Sequence, residues 1–335
     1  LTFMLPIFFS AFILPACCLT KRNCVSYDEL KELRTEFAIN LYQHLSEAEN
    51  GTNLVVSPAS VAISLELLQF GARGNTFTEL QNALGYNIHG NVLIKKKLFL
   101  SVYKGVTESG QGTVVQLSCS LFIDAGVQLS PIFTAHAARW ANSSLQQTNF
   151  THPNRTAARM QEWLTDNLGD GDVHGMLLES AESPLGRVAL VSTMYFKSTW
   201  QKKFPFMDTQ MLPFTTAEGS TLKVATMHHT VEVNYGQFQT AALENFSVVE
   251  LPYLGEKLSM FLVLPSHKRT SLSQIESHLS AKTITIWASS LRRTKVDIFL
   301  PRFSVHSLFD LKTVFSALGI REAFDPIAAD LRGIS

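Results

Sequence analysis

Residues 188–204 read VALVSTMYFKSTWQKKF. The opening residues are almost continuously apolar or β-branched, and a basic turn with a lone Trp200 follows them. That pattern reads as a strand buried on both faces. Such a strand sits in the middle of a large sheet with layers packed above and below, so the segments around it are expected to supply the cover.

Upstream, Val114 to Ile123 reads as another central strand, and Ser130-Pro131 as the cap of a helix carrying Phe133, Ala137 and Trp140. A further helix is expected from about Asn154 through Met160, Gln161, Trp163 and Leu164 to Gly169. Nearer the start, Ser26 to Glu29 has the spacing of a capping box before Leu30, Leu33, Phe37 and Leu41, with Asn50-Gly51 ending that helix. Asn53 to Val56 predicts a short strand running into Ser57-Pro58, a preferred N-cap followed by the residue best suited to a first helical turn. Thr76 to Glu79 predicts a second capping box, and Gly85 a stop. Downstream, short strands are expected at Phe214–Val224, Val231–Phe238, Val248–Tyr253, Lys257–Leu264 and Val296–Phe303, several closed by proline, which cannot donate to a ladder. A helix through Leu308, Leu311, Phe315 and Leu318 stops at Gly319. With no internal repeat, no low-complexity linker and no βαβ alternation, the class is α+β in one domain, residues 21–335.

The chain has 335 residues, 46% hydrophobic and 17% charged, which suits a packed chain and argues against disorder. Lys plus Arg equals Asp plus Glu at 28 each, so no overall field recommends nucleic acid or an anionic membrane as partner. Residues 1–20, LTFMLPIFFSAFILPACCLT, read as a secretory signal peptide cleaved after Cys18 or Thr20. A membrane anchor is the alternative, disfavoured by Pro6, Pro15 and the short apolar length. Loss of that segment leaves Cys24 and Cys119, read as two unpaired thiols. Asn-x-Ser/Thr triplets at Asn50, Asn142, Asn149, Asn154 and Asn245 mark glycosylation candidates in a secreted, extracellular protein, and the run from Asn142 to Asn154 suggests an exposed loop.

Enzyme signatures are missing. There is no G-x-S-x-G and no H-E-x-x-H. Gly169-x-Gly171 with Gly175 lacks the third glycine of a nucleotide fingerprint and reads as a turn, and the adjacent His228 and His229 point to opposite faces of a strand. No cofactor, metal site or catalytic residue is expected.

Tyr195-Phe196-Lys197 with Trp200 resembles the third strand of the main sheet in the serpins, inhibitors of serine proteases. The stretch NLVVSPASVAISLELLQFGARGNTFTELQNALGY at 53–86, the ELPY and LSMFLVLP pieces, VDIFLPRF, and the closing AFD and ADLRGIS follow in the same order as in that family. The match runs from about Phe37 to Ser335, and the runs 191–194, 232–238 and 290–293 look most like clade E. The resemblance implies a serpin fold: a large central mixed sheet, a second sheet and surrounding helices, the helix around Trp163 lying across the main sheet. It also implies suicide inhibition, in which a serine endopeptidase cleaves an exposed loop, stays attached as an acyl-enzyme and is distorted as the loop inserts between strands.

Carried over from that mechanism, Trp200 would sit at the top of the sheet opening, with Ser57, Ser60 and Ser192 at its middle; ordinary packing and helix capping is the plain alternative for all four. The family usually has Asn where Cys119, Gln161 and Ser192 stand, and Gly where Ser198 stands. The departures at Cys119, Gln161 and Ser192 keep a non-inhibitory binding or carrier serpin as the alternative. Lys95, Lys96 and Lys97 fall where some serpins bind glycosaminoglycans; a solvated helix face is the favoured reading, with a weak contact as the other. The resemblance would continue beyond Ser335 into the final strands and reactive loop, so no scissile bond is expected within these residues and the chain by itself is expected to be inactive as an inhibitor. A truncated isoform or an incomplete gene model, poorly soluble through unpaired edges, is the third reading.

Overall fold

The computed structural model describes residues 27–49, 52–85, 112–140, 143–167, 187–216, 219–240, 244–266, 272–305, 307 and 309–335. Three helices come first: α1 (Tyr27–Ala48), α2 (Pro58–Gly71) and α3 (Gly74–Ala83). Strand β1 (Thr113–Asp124), α4 (Pro131–Ala137), β2 (Ser143–Thr148), α5 (Pro153–Asn167) and β3 (Val188–Ser198) follow. Then come β4 (Gln210–Thr215), β5 (Thr221–Gln239), β6 (Asn245–Pro252), β7 (Ser259–Pro265), α6 (Leu272–Glu276), α7 (Ala281–Ser290), β8 (Arg292–Pro301) and α8 (Lys312–Ala317).

Two sheets organise these elements. The first has the order β2-β1-β3 and is mixed: β1 runs parallel to β2 and antiparallel to β3. The second is antiparallel, β4-β5-β6-β7, with β8 also paired to β5. Because side chains alternate along a strand, one face of the β1–β3 pair (Leu117, Cys119, Leu121 and Met194) packs under α2, and its Val115 and Phe196 meet Val231, Leu251 and Leu300 of the second sheet. The other face presents Phe122, Ala189 and Val191 to Met160 and Trp163 of α5, with Trp163 edge-on to Phe122 at 6.5 Å. Helix α5 therefore lies across the first sheet, as the resemblance implied.

Several expectations are corrected. The 188–196 segment forms a strand but not at a sheet centre: among the described residues β1 is the central strand, β3 pairs only with β1, and every β3 residue except Thr193 is at most half-buried. Among the described residues the first sheet has three strands and the second five. An apolar run gives a strand's identity, whereas its place in a sheet depends on distant partners. Asn53–Val56 is extended but not a strand; its Val55 N–H donates to the Ser307 hydroxyl (3.1 Å) instead of entering a ladder. Phe214–Val224 is not one strand: β4 ends at Thr215 and β5 begins at Thr221, Thr216 N–H donates to the Ser220 carbonyl (2.8 Å) with Gly219 at φ +84, and β5 then runs unbroken through Val231 to Gln239. Its residues 221–226, 226–235 and 234–239 pair with β4, β8 and β6 in turn, which supports so long a strand. Ser130 precedes α4 without a side-chain cap and instead donates its N–H to the Ile334 carbonyl (2.8 Å). The helix near the end is confined to Lys312–Ala317, Gly319 at φ +89 ending it as expected.

Thr76 and Glu79 do not form a capping box either: α3 begins at Gly74, so both lie inside it. Glu79 Oε2 accepts the N–H groups of Arg321 and Glu322 (2.8 Å each), capping the 3₁₀ turn Glu322–Phe324, and the Thr76 hydroxyl accepts Asp330 N–H (3.0 Å). Glu79 thus acts as a cap, but for a turn more than 240 positions away. Ser26, Leu308, Gly169, Gly171, Gly175 and Cys24 lie outside the described residues. Among those described, no helix is long and apolar enough to cross a membrane.

Candidate functional site

The site lies where α2 crosses β1 and β3. Pro58 opens the helix with a preset φ, and Ser57, in an extended conformation, accepts the Ser60 N–H at its Oγ (3.3 Å). Ser57, Ser60 and Ser64 recur at three- and four-residue spacing and so share one stripe of the helix. Along it the Ser60 hydroxyl donates to the Ser57 carbonyl (3.0 Å) and the Ser64 hydroxyl to the Ser60 carbonyl (2.9 Å). At the two ends of this ladder stand sulfur atoms. Ser57 Oγ donates to Met194 Sδ on β3 (2.8 Å), and Ser64 Oγ is hydrogen-bonded to Cys119 Sγ on β1 (3.3 Å).

The β1–β3 register places Ser192 opposite Cys119 and Met194 opposite Leu117. Ser57, Ser60 and Ser192 are thereby gathered around one crossing, with Ser60 buried and the other two half-buried. Sulfur is a weak donor and a weak acceptor, so the polar part of the contact between α2 and the two strands is soft. On the opposite face, Thr193 is buried and its hydroxyl has no hydrogen-bond partner among the described residues.

Trp200 stands apart from the serines, past the end of β3. It forms an isolated antiparallel bridge with Tyr253, and the two rings stack at 4.5 Å and 10°. Tyr253 in turn meets Phe196 edge-on at 5.2 Å. Flanking backbone bonds, Leu254 N–H to Thr199 O (2.8 Å) and Gln201 N–H to Pro252 O (3.0 Å), fasten the exit of β3 to the β6–β7 turn.

The arrangement can hold strands together; it is poorly suited to nucleophilic chemistry. Burial pushes the Cys119 thiol up to about 11, opposed only by the Ser64 hydrogen bond, and pushes the Tyr253 phenol up to about 12. Among the described residues no group of three His, Cys, Asp or Glu is placed to hold a metal. His228 stacks on Phe299 (4.4 Å) with Asp297 Oδ1 3.5 Å away, while His229 on the other face meets Phe204 edge-on at 6.0 Å.

Of the glycosylation candidates, Asn149, Asn154 and Asn245 are exposed. Asn149 Oδ1 accepts the Thr151 N–H (2.9 Å), and Thr156 of the Asn154 triplet is fully buried against the Asn149 carbonyl (3.1 Å). Asn50, Asn142, Lys95, Lys96 and Lys97 lie outside the described residues. Sequence reasoning missed Ser64, Met194 and Tyr253 as members of the site. Ser64 was readable from the Ser57, Ser60, Ser64 spacing; nothing local marks a methionine or a tyrosine as a partner for residues 137 or 53 positions away.

Comparison with known proteins gives the context of this geometry. The family model described as "Serpin (serine protease inhibitor)" matches residues 32–335. A Danio rerio protein named probable serpin E3 is 43% identical over 326 residues, covering 93% of this chain and 77% of that protein. Plasminogen activator inhibitor 1 of Sus scrofa is 28% identical over 303 residues, covering 90% of this chain and 75% of that one. The crystal structure of native protease nexin-1 with heparin superposes with a TM-score of 0.84 at 26% identity, covering 91% of this chain and 82% of that chain.

Proposed function

The chain belongs to the serpin family, and from that premise we propose that it is the body of a secreted suicide inhibitor of a serine endopeptidase, acting by insertion of a reactive loop beside β3. The observation that carries the reading is the far edge of β3. Along Val188–Ser198 the backbone groups on that side face no paired strand among the described residues, which is what an inserted segment needs in order to add a strand. Ser57, Ser60 and Ser192 tune how readily α2 lets β3 move, because the helix rests on sulfur acceptors. Trp200 anchors the strand's exit on Tyr253. The protein so read is not an enzyme: it reacts once with its protease and does not turn over.

Secretion belongs to the same proposal, with a signal over residues 1–20, one serpin domain over 21–335, and glycans at exposed sequons such as Asn149 and Asn245. A weak glycosaminoglycan contact through Lys95, Lys96 and Lys97 is included. Its support is the likeness to a nexin solved with heparin, and three cations in a chain of zero formal charge keep it weak.

The deciding experiment incubates the full-length secreted protein with a trypsin-like protease. A covalent complex that survives boiling in detergent is expected. Clean cleavage of the serpin with full recovery of protease activity would overturn the inhibitory reading in favour of a binding or carrier role, toward which Cys119, Gln161 and Ser192 lean.

A further inference from the structure

We propose that Met194 is a methionine-sulfoxide site whose oxidation by hydrogen peroxide loosens α2 from β3. The inference stands on packing and is independent of protease inhibition. Met194 is half-buried and packs against both the core under α2 and the core between the sheets. Its Sδ holds the hydroxyl of Ser57, the residue that also caps α2. One thioether therefore joins a helix start, a strand and two cores, while β3 has no paired strand on its far side among the described residues to restrict approach.

In the reaction a sulfur lone pair attacks one peroxide oxygen, the O–O bond breaks, an S–O bond forms, and the departing hydroxide takes up the remaining proton to leave as water. The thioether is oxidised and the peroxide reduced. The product carries a strongly polar oxygen among Leu117, Phe196 and Trp200, apolar neighbours in register or in the same cores. It also competes for the Ser57 hydroxyl. To follow the new oxygen the Ser57 hydroxyl has to leave the position in which it caps Ser60 N–H; if it stays, the oxygen lies against apolar side chains without that hydrogen bond. Either outcome weakens the α2–β3 contact.

Two exposed methionines supply the controls. Met207 and Met211 are 88% and 60% exposed and belong to no core cluster, so their oxidation comes first and costs little. The experiment treats the purified protein with increasing hydrogen peroxide and follows oxygen gained at each methionine by peptide mass mapping, alongside Tm. Oxygen is expected at Met194 while the protein is still folded, with a fall of about 3 °C or more in Tm that methionine sulfoxide reductase reverses. Met194→Leu, of similar volume, keeps its Tm under the same treatment, whereas the Met207→Leu/Met211→Leu double variant falls as the parent does. A second arm uses Ser57→Ala, which uncovers Sδ: oxidation at Met194 is expected to quicken several-fold relative to Met207. The proposal is overturned if Met194 gains no oxygen short of unfolding, if the Met194→Leu Tm falls as far as the parent's, or if Ser57→Ala leaves the rate at Met194 unchanged.

Discussion

The Cys119 thiol is fully buried on β1, hydrogen-bonded to the Ser64 hydroxyl within an apolar cluster, and that enclosure has a consequence in alkali. Its ordinary value is 9.0 and burial raises it to about 11, so between those pH values the unfolded chain loses the thiol proton while the folded one keeps it. The folded state then binds more protons than the unfolded, and stability falls as pH rises through this window. Tyr253 extends the effect, since its phenol moves from 10.0 to about 12. Urea midpoints measured from pH 8 to 11 should decline, and Cys119→Ala should flatten the part between 9 and 11; a slope identical to the parent's would refute the assignment. At the same scale, Asn149 and Asn245 are exposed enough to carry glycans. Secretion from mammalian cells followed by glycosidase should lower the apparent mass, and Asn149→Gln or Asn245→Gln should each remove one step. Ser57, Trp200 and the sequons were legible as residue types in the sequence. Their partners Met194 and Tyr253 were not, because side-chain contacts across the fold leave no local trace.

Helix α2 is the element on which most of this depends, and its two ends can be tested separately. Ser57→Ala removes both the cap and the contact to Met194, with an expected loss of about 1 kcal/mol in stability. At the other end Gly71 lets the closing segment approach: an added Cβ would lie 2.3 Å from Ile334 Cγ1, and the Gly71 carbonyl accepts Gly333 N–H (2.9 Å). Gly71→Ala should cost about 1–3 kcal/mol through overpacking, read from urea midpoints; a change within error would show that Ile334 simply moves aside. Helix α3 holds the same closing segment through Thr76 and Glu79. Glu79→Gln should speed hydrogen exchange at Arg321 and Glu322 while leaving the amides of β5 and β8 untouched, since the carboxylate caps only that turn. The spacing of Thr76 and Glu79 predicted a cap at the start of their own helix, and instead Glu79 alone caps a distant turn while Thr76 accepts Asp330 N–H. The sequence could not show this, because the spacing rule sees four consecutive residues and the actual partners lie near the far end of the chain.

Across the whole molecule, exposed apolar side chains coincide with an open sheet edge and no net charge. Phe206, Met207 and Ile327 are 80%, 88% and 97% exposed, β3 has one side without a paired strand among the described residues, and the formal charge is zero with pI near 7.3. Zero net charge supplies no repulsion, and among the described residues no strand covers that edge, which favours self-association. Light scattering on the 335-residue chain near pH 7 should show association that grows with concentration and weakens away from that pH, whereas reversible, cooperative unfolding as a monomer would count against it. The sequence by itself determined the family and most strands and helices of the α+β fold, since apolar runs, proline and glycine stops and the Ser57 cap act over a few neighbouring residues. Only the tertiary structure decided that β1 rather than β3 is the central strand of the described first sheet, that β5 is continuous, and that the α2 serines end on the sulfurs of Met194 and Cys119. Those outcomes depend on which distant segments meet, and a chain's local pattern is compatible with many such meetings until packing selects one.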